Sequence, residues 1–267
     1  MYRLIALDID GTLLDSQGTL PPAVREGLHH IYKLGVQIVL ISGRNVPGVM
    51  RALDQLGLDL WFVSSGGACI SNFRQDQILG QRFLNTTDAE AIIRLARNAG
   101  AGIFLELVDH LYWEGPLEYL EWLPSVHGLT IDTLDDLIAQ LIPEALKLTV
   151  IHENERLIDF ERALIDRGLE INASYSGPRY LEITAKGVTK GAALQQLAEF
   201  LQIPLSKVLA VGDGENDISM ISLAGLGIAM GNSPEKVKMA ADLIVPSNDE
   251  DGLLTVIRLV EECYEPG

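Results

Sequence analysis

Six short apolar runs, at residues 3–9, 36–42, 59–63, 207–212, 226–230 and 242–246, constrain this chain more than any other feature. They are nearly continuous hydrophobes, without the apolar–polar alternation of a strand that has one wet face. Continuous runs suit parallel strands covered on both faces by helices. Helical patterns lie between them. Val24, Leu28 and Ile31 follow "LPP", whose prolines suit a first helical turn. Leu194, Leu197, Ala198 and Leu201 have the i, i+3, i+4, i+7 spacing of one buried face. Strand and helix in alternation predict a parallel sheet with right-handed crossovers.

The middle of the chain reads differently. From 83 to 184 helical patterns occur at 88–99 and 155–167, and strand-like runs at 102–108, 146–151 and 180–184. Thr87 and Glu90 have the spacing of a capping box. Turns dense in glycine and carboxylate are absent here and lie toward both ends of the chain. An inserted second domain over 83–184 explains that layout, with the first domain at 1–82 resuming at 185–267.

The 267 residues are 48% apolar, enough for a sizeable core, yet no run approaches the roughly 20 apolar residues of a membrane span. The first residues, "MYRLIALDID", enter a strand directly, without the pattern of a secretory leader. Cys69 and Cys263 form no disulfide framework and no metal-ligand spacing. The expectation is a cytoplasmic protein. A net charge of −17 repels nucleic-acid backbones, and no basic run overrides it. The same charge repels a phosphorylated substrate unless the site supplies positive charge locally.

Two turns could carry chemistry at strand ends. "DIDGTLLD" sets Asp8 and Asp10 one residue apart, followed by Gly11 and Thr12. It reads either as a polar turn or as a nucleophile beside an acid/base. A carboxylate can attack phosphorus. A neighbouring carboxyl can protonate the leaving oxygen and then activate water. "VLAVGDGENDISM" places Asp213, Glu215, Asn216 and Asp217 within five residues. Alone it could be a merely acidic turn. Counted as calcium loops, both stretches fail, because Leu13 and Ile218 stand where the sixth-position glycine belongs.

Lys190, in "GVTKGAAL", opens a helix, where a cation opposes the macrodipole. It is either a solvated lysine or part of an anion site with the helix N–H groups. "ISGR" ends a run in Ser42 and Gly43, a loop that can approach phosphoryl oxygens closely. A carboxylate and a phosphate charge at ~4 Å repel by roughly 4 kcal/mol at an effective dielectric of ~20. A divalent cation and Lys190 would reverse that sign, which gives the four stretches one purpose.

Together the four stretches resemble the motifs of the haloacid dehalogenase superfamily, in order, and in particular its Cof-like phosphatases with a type-IIB cap. "PSNDEDGLL" is similar to the C-terminal signature of that group. The resemblance implies a Rossmann-like catalytic core at 1–82 and 185–267 with an α/β cap inserted at 83–184. It also implies Mg²⁺-dependent hydrolysis of a small phosphorylated metabolite, a sugar phosphate by preference, through an aspartyl-phosphate. It implies Asp8 as nucleophile and Asp10 as general acid/base. Asp8, the Asp10 carbonyl and Asp213 would hold the metal, with Asp217 in or beside that shell. Ser42, Gly43 and Lys190 would bind the phosphoryl group, and Asn216 would position Lys190 or substrate. "SSGGA" departs from the usual Asn-Gly-Ala, with Gly66 in the asparagine's place. The rival reactions are a phosphosugar mutase of the phosphomannomutase type and a non-catalytic phosphosugar-binding regulator. In the cap, Tyr112, Trp113, Tyr119 and Trp122 read as cap core, with a substrate-stacking rim as the alternative. Arg179 is a candidate for facing the cleft.

Overall fold

The structure is a computed structural model that describes residues 1–122, 131–139 and 144–264. Five strands come first: β1 (Leu4–Leu7), β2 (Gln37–Ile41), β3 (Trp61–Ser64), β4 (Cys69–Asn72) and β5 (Ile78–Gln81). Six follow: β6 (Gly102–Glu106), β7 (Leu111–Glu114), β8 (Ile131–Thr133), β9 (Lys147–Ile151), β10 (Ile171–Gly177) and β11 (Tyr180–Ala185). The last three are β12 (Val208–Gly212), β13 (Leu226–Ala229) and β14 (Leu243–Ile244). The helices are α1 (Pro22–Lys33), α2 (Val46–Leu56), α3 (Thr86–Ala99), α4 (Asn154–Asp166), α5 (Lys190–Phe200), α6 (Ile218–Ile221), α7 (Glu235–Lys238) and α8 (Gly252–Tyr264).

The first sheet has the order β14-β13-β12-β1-β2-β3-β4-β5. From β14 to β3 every pairing is parallel, while β4 and β5 extend the sheet antiparallel. The continuous runs have the expected cause. One face packs Ile5, Leu7, Ile38 and Leu40 against α1, α2 and α8. The other packs Leu4, Ala6, Val39 and Ile41 against Leu194, Leu197 and Ala198 of α5. Because side chains alternate along a strand, two buried faces require apolar residues at every position.

The second sheet, order β10-β11-β9-β6-β7-β8, builds its own core with α3 and α4. Arg82 still donates its N–H to Ala68 in the first sheet, and Leu84 donates to Ala145 beside the second. The chain therefore crosses between layers within two residues. The expected capping box is displaced: α3 is capped by Asn85, whose side chain accepts the Thr87 N–H at 2.8 Å. Thr87 lies inside the first turn and cannot cap it, and Glu90 instead pairs with Arg94 one turn on. Trp113 is fully buried in the second layer, and Tyr112 and Tyr119 pack against its apolar clusters, as the core reading expects. The Trp122 side chain lies outside the described residues. Among the described residues no helix is long and apolar enough to cross a membrane.

Candidate active site

The carboxyl ends of β1, β2 and β12 lie side by side, and each continues directly into a polar residue of the candidate motifs. Asp8 follows β1, Ser42 follows β2 and Asp213 follows β12. Open α/β sheets bind ligands at these ends. Asp8 is buried, with its N–H bonded to Val211 at 3.0 Å. Lys190, buried at the start of α5, reaches across to Asp8 Oδ1 at 2.6 Å and Asp217 Oδ1 at 2.5 Å. Thr189 caps α5, so the lysine side chain is free of capping duty and turns toward the two carboxylates. The expectation of a solvated lysine is therefore excluded.

Asp217 is bonded through both oxygens. Its Oδ2 accepts the backbone N–H groups of Asp213 at 3.0 Å and Gly214 at 2.8 Å. Asp213 is held by the Thr12 hydroxyl at 3.3 Å and the Asn232 amide at 3.1 Å. Gly11 closes this corner with φ +77, and a Cβ there would strike the Asp213 carboxylate. One oxygen each from Asp8, Asp213 and Asp217 lie within 4.8 Å of one another. Burial, then the Asp217 charge, pushes the Asp8 carboxyl well above its ordinary range against the pull of Lys190. The same two causes push Asp213 up to about 6. Burial works against the charge of Lys190, but Asp217 and Asp8 outweigh it and raise its pKa. Three carboxylates around one ammonium leave net negative charge in a low-dielectric corner. A compact all-oxygen donor set with unneutralised charge fits a hard divalent cation.

Asp10 stands apart from that cluster. The chain turns at Gly11, and the exposed Asp10 carboxylate is gripped in a fork by Arg44, Nε to Oδ2 at 2.8 Å and Nη2 to Oδ1 at 2.5 Å. The Asp10 carboxylate is not part of the cluster formed by Asp8, Asp213 and Asp217. Arg44 carried no role in the sequence reading, although it closes the "ISGR" motif. Ser42 is buried, and its Oγ accepts the Arg44 N–H at 3.1 Å. Asn216 makes no described hydrogen bond to Lys190; it lines the cleft instead. Gly66 takes φ +68, a left-handed conformation that both glycine and asparagine tolerate.

These residues form the floor of a cleft of about 950 Å³. Its roof is the second sheet, which contributes Phe104, Glu106, Lys147, Thr149, Tyr180 and Glu182. Tyr175 and Glu161 stand at its side, joined by a hydrogen bond of 3.0 Å. Tyr112, Trp113 and Tyr119 are not among its lining residues, and neither is Arg179, although its neighbours Pro178 and Tyr180 are. The sequence reading also passed over Glu106, Lys147 and Glu182. Each interrupts a strand-like apolar run with a charge, and that was the available signal. Asn232 offered no comparable cue.

A family model described as haloacid dehalogenase-like hydrolase matches residues 5–257. The 5-amino-6-(5-phospho-D-ribitylamino)uracil phosphatase YcsE of Bacillus subtilis is 30% identical over 262 residues, covering 96% of this chain and 94% of its own. A crystal structure of a haloacid dehalogenase-like hydrolase from Bacteroides thetaiotaomicron superposes with a TM-score of 0.87 at 31% identity, over 97% of this chain and 100% of that one. A subclass IIB sugar phosphatase shares the fold with a TM-score of 0.87 at 23% identity, over 97% of this chain and 99% of that one. Four motifs gathered at one sheet end, a second α/β layer roofing them, and these likenesses lead to one conclusion: the chain belongs to the haloacid dehalogenase superfamily of hydrolases.

Proposed function

We propose that the chain is a Mg²⁺-dependent phosphatase that hydrolyses a small phosphorylated metabolite through a phosphoryl group carried on Asp8. The observation that supports it most is the cluster of buried Asp8 and Asp217, paired with Lys190, and half-buried Asp213 beside them, which is one divalent cation short of balance. Asp8, the Asp10 carbonyl and Asp213 would hold the metal. Asp217, with both oxygens engaged, acts beside that shell by fixing the Asp213–Gly214 backbone and Lys190. When bound, the cation offsets the repulsion between the Asp8 carboxylate and the phosphoryl oxygens.

In the first step an Asp8 oxygen bonds to phosphorus and the ester P–O bond breaks. The leaving alkoxide takes a proton from Asp10, which must enter this step protonated, with one oxygen still held by Arg44 and the other released to donate. In the second step Asp10, now a carboxylate, accepts a proton from water as the water oxygen attacks phosphorus. Orthophosphate leaves and Asp8 is restored. Lys190, Ser42 and the N–H groups of the Gly43 loop bind the phosphoryl oxygens throughout, stabilising the in-line transition state.

The roof supports a hydroxyl-rich leaving group. Thr149, Asn154, Ser176 and Glu161 offer hydrogen-bonding groups in the cleft. Its three basic side chains, Arg44, Lys147 and Lys190, are each engaged by carboxylates, so the cleft suits a monoester better than a substrate with a second phosphate. We place the cap at 83–184, with hinges at its two connections to the core. The test is phosphate release from a panel of phosphorylated metabolites with Mg²⁺, beside an EDTA control. Metal-dependent release is expected, fastest with sugar monophosphates. Conversion of a sugar 1-phosphate to the 6-phosphate without phosphate release would replace this reading with the mutase.

A further inference from the structure

Lys147 is a buried lysine whose third hydrogen bond leaves its own layer. It sits in β9 directly opposite Glu106 of β6 in the sheet register. Its Nζ lies 3.3 Å from Glu106 Oε2 and 3.2 Å from Glu182 Oε1. The remaining bond runs to the Gly43 carbonyl at 2.6 Å, in the candidate phosphoryl loop of the other layer. Burial opposes the charge on Lys147, but Glu106 and Glu182 outweigh it and raise its pKa, so it stays an ammonium.

That carbonyl belongs to the planar Gly43–Arg44 peptide unit, so fixing its oxygen fixes the Arg44 N–H as well. The Arg44 N–H bonds to Ser42 Oγ, which leaves the Ser42 hydroxyl proton available to the cleft. The Arg44 side chain grips Asp10. A second strut stands beside the first: the Ser65 hydroxyl donates to Glu106. Ser65 takes φ +54, and its loop is stitched to the same segment by Ser65 N–H to Arg44 at 2.7 Å and Gly66 N–H to Ser42 at 3.0 Å. A Cβ on Gly43 would lie 3.1 Å from Glu182 Oε2, so the roof meets this loop at close quarters.

We propose that Lys147 is a positioning residue: by binding the Gly43 carbonyl it carries cap closure into the Ser42–Arg44 loop, setting the Ser42 hydroxyl and the Arg44–Asp10 pair for phosphoryl transfer. The kinetic half of this inference rests on the phosphatase reading; the structural half does not. Lys147 lines the roof of the cleft, but its bonds run to Glu106, Glu182 and the Gly43 carbonyl.

The test compares Lys147→Met, the double variant Lys147→Met/Glu182→Gln, which strands less charge if the single variant folds poorly, and Ser65→Ala. Spin labels at positions 54 and 162, both exposed, in a Cys263→Ser background, report the separation of the two layers whether or not the chain turns over. The labelled Lys147 variants should show a longer and broader distance distribution than their parent, with a smaller change of the same kind in Ser65→Ala. Turnover number should fall by about 10- to 100-fold for acetyl phosphate, too small to reach the roof, as well as for larger esters, because the loss is one of alignment. An unchanged distance distribution would overturn the proposal. So would a loss confined to the KM of larger esters, which would make Lys147 a leaving-group contact. If the parent chain released phosphate from nothing, the phosphatase reading would fail while the distance measurement still judged the strut.

Discussion

Lys190 in the core and Lys147 in the cap are both buried lysines held between two carboxylates, and they differ in their third neighbour. Beside Lys190 stands another carboxylate, Asp213, within 4.8 Å of Asp8 and Asp217. At Lys147 the third partner is a neutral main-chain carbonyl, that of Gly43. The core cluster thus carries more uncompensated negative charge, and it faces a cleft. The cap cluster is nearer balance and ties two layers together. An excess of charge that a fold maintains at the cost of stability is the mark of a group to be bound. A lysine shared by two carboxylates, with its last donor given to backbone of the other layer, is the mark of a strut.

The largest effect expected is chemical and belongs to the core alone. Asp8→Asn should lower phosphate release by at least ~10³-fold, because it removes the nucleophile and not a contact. It should leave the thermal midpoint of the metal-free protein unchanged or raised, because burial and Asp217 already disfavour the Asp8 charge. Turnover assays and melting curves on the same sample check both halves.

Next comes the cost of stranding charge. Lys190→Met and Lys147→Met should each lose about 3–5 kcal/mol in denaturant titrations, the usual penalty for breaking a buried ion pair. Magnesium separates them. It should restore much of the stability of Lys190→Met and little of that lost in Lys147→Met. Equal rescue of both variants would erase the distinction between the two clusters.

Much of this was readable in the chain. The strands flanking the site were visible because two covered faces make a strand uniformly apolar, and Asp8, Ser42 and Asp213 were visible as the polar residues ending such runs. The antiparallel β4 and β5 were not, and neither was β10, whose half-buried residues, "INASYSG", follow no clean alternation. The missed site residues share a cause. Arg44, Asn232 and the Glu106–Lys147–Glu182 row acquire meaning only from partners set by tertiary register, such as Asp10, 34 positions away from Arg44, or Gly43, 104 positions from Lys147. Trp113 could be read as core because it sits in a dense aromatic stretch. The aromatic residues that do line the cleft, Phe104, Tyr175 and Tyr180, are scattered over three strands.

A smaller effect sharpens the electrostatic side. Burial, then the Asp217 charge, pushes the Asp213 carboxyl from an ordinary 3.8 up to about 6 in the fold. Between those values the folded chain holds a proton that the unfolded chain has lost. Its contribution to stability is therefore present at low pH and fades as pH rises through about 6. Asp213→Asn should flatten that slope in metal-free protein and gain on the order of 1 kcal/mol at neutral pH. Stabilisation by magnesium should instead grow with pH over the same range, and should be lost in the variant. The smallest effect is expected at the cap edge: Arg179→Ala should leave turnover within about twofold, since the residue does not line the cleft.

The central claim is that Asp8 carries the phosphoryl group. Rapid acid quench of the enzyme with magnesium and its best substrate, followed by peptide mass spectrometry, tests it most directly. A phosphoryl group on the peptide around Asp8, labile to hydroxylamine and absent in Asp8→Asn, is the result expected. Turnover at full rate with no phosphorylated peptide at any time, or with the group on another residue, would contradict the account.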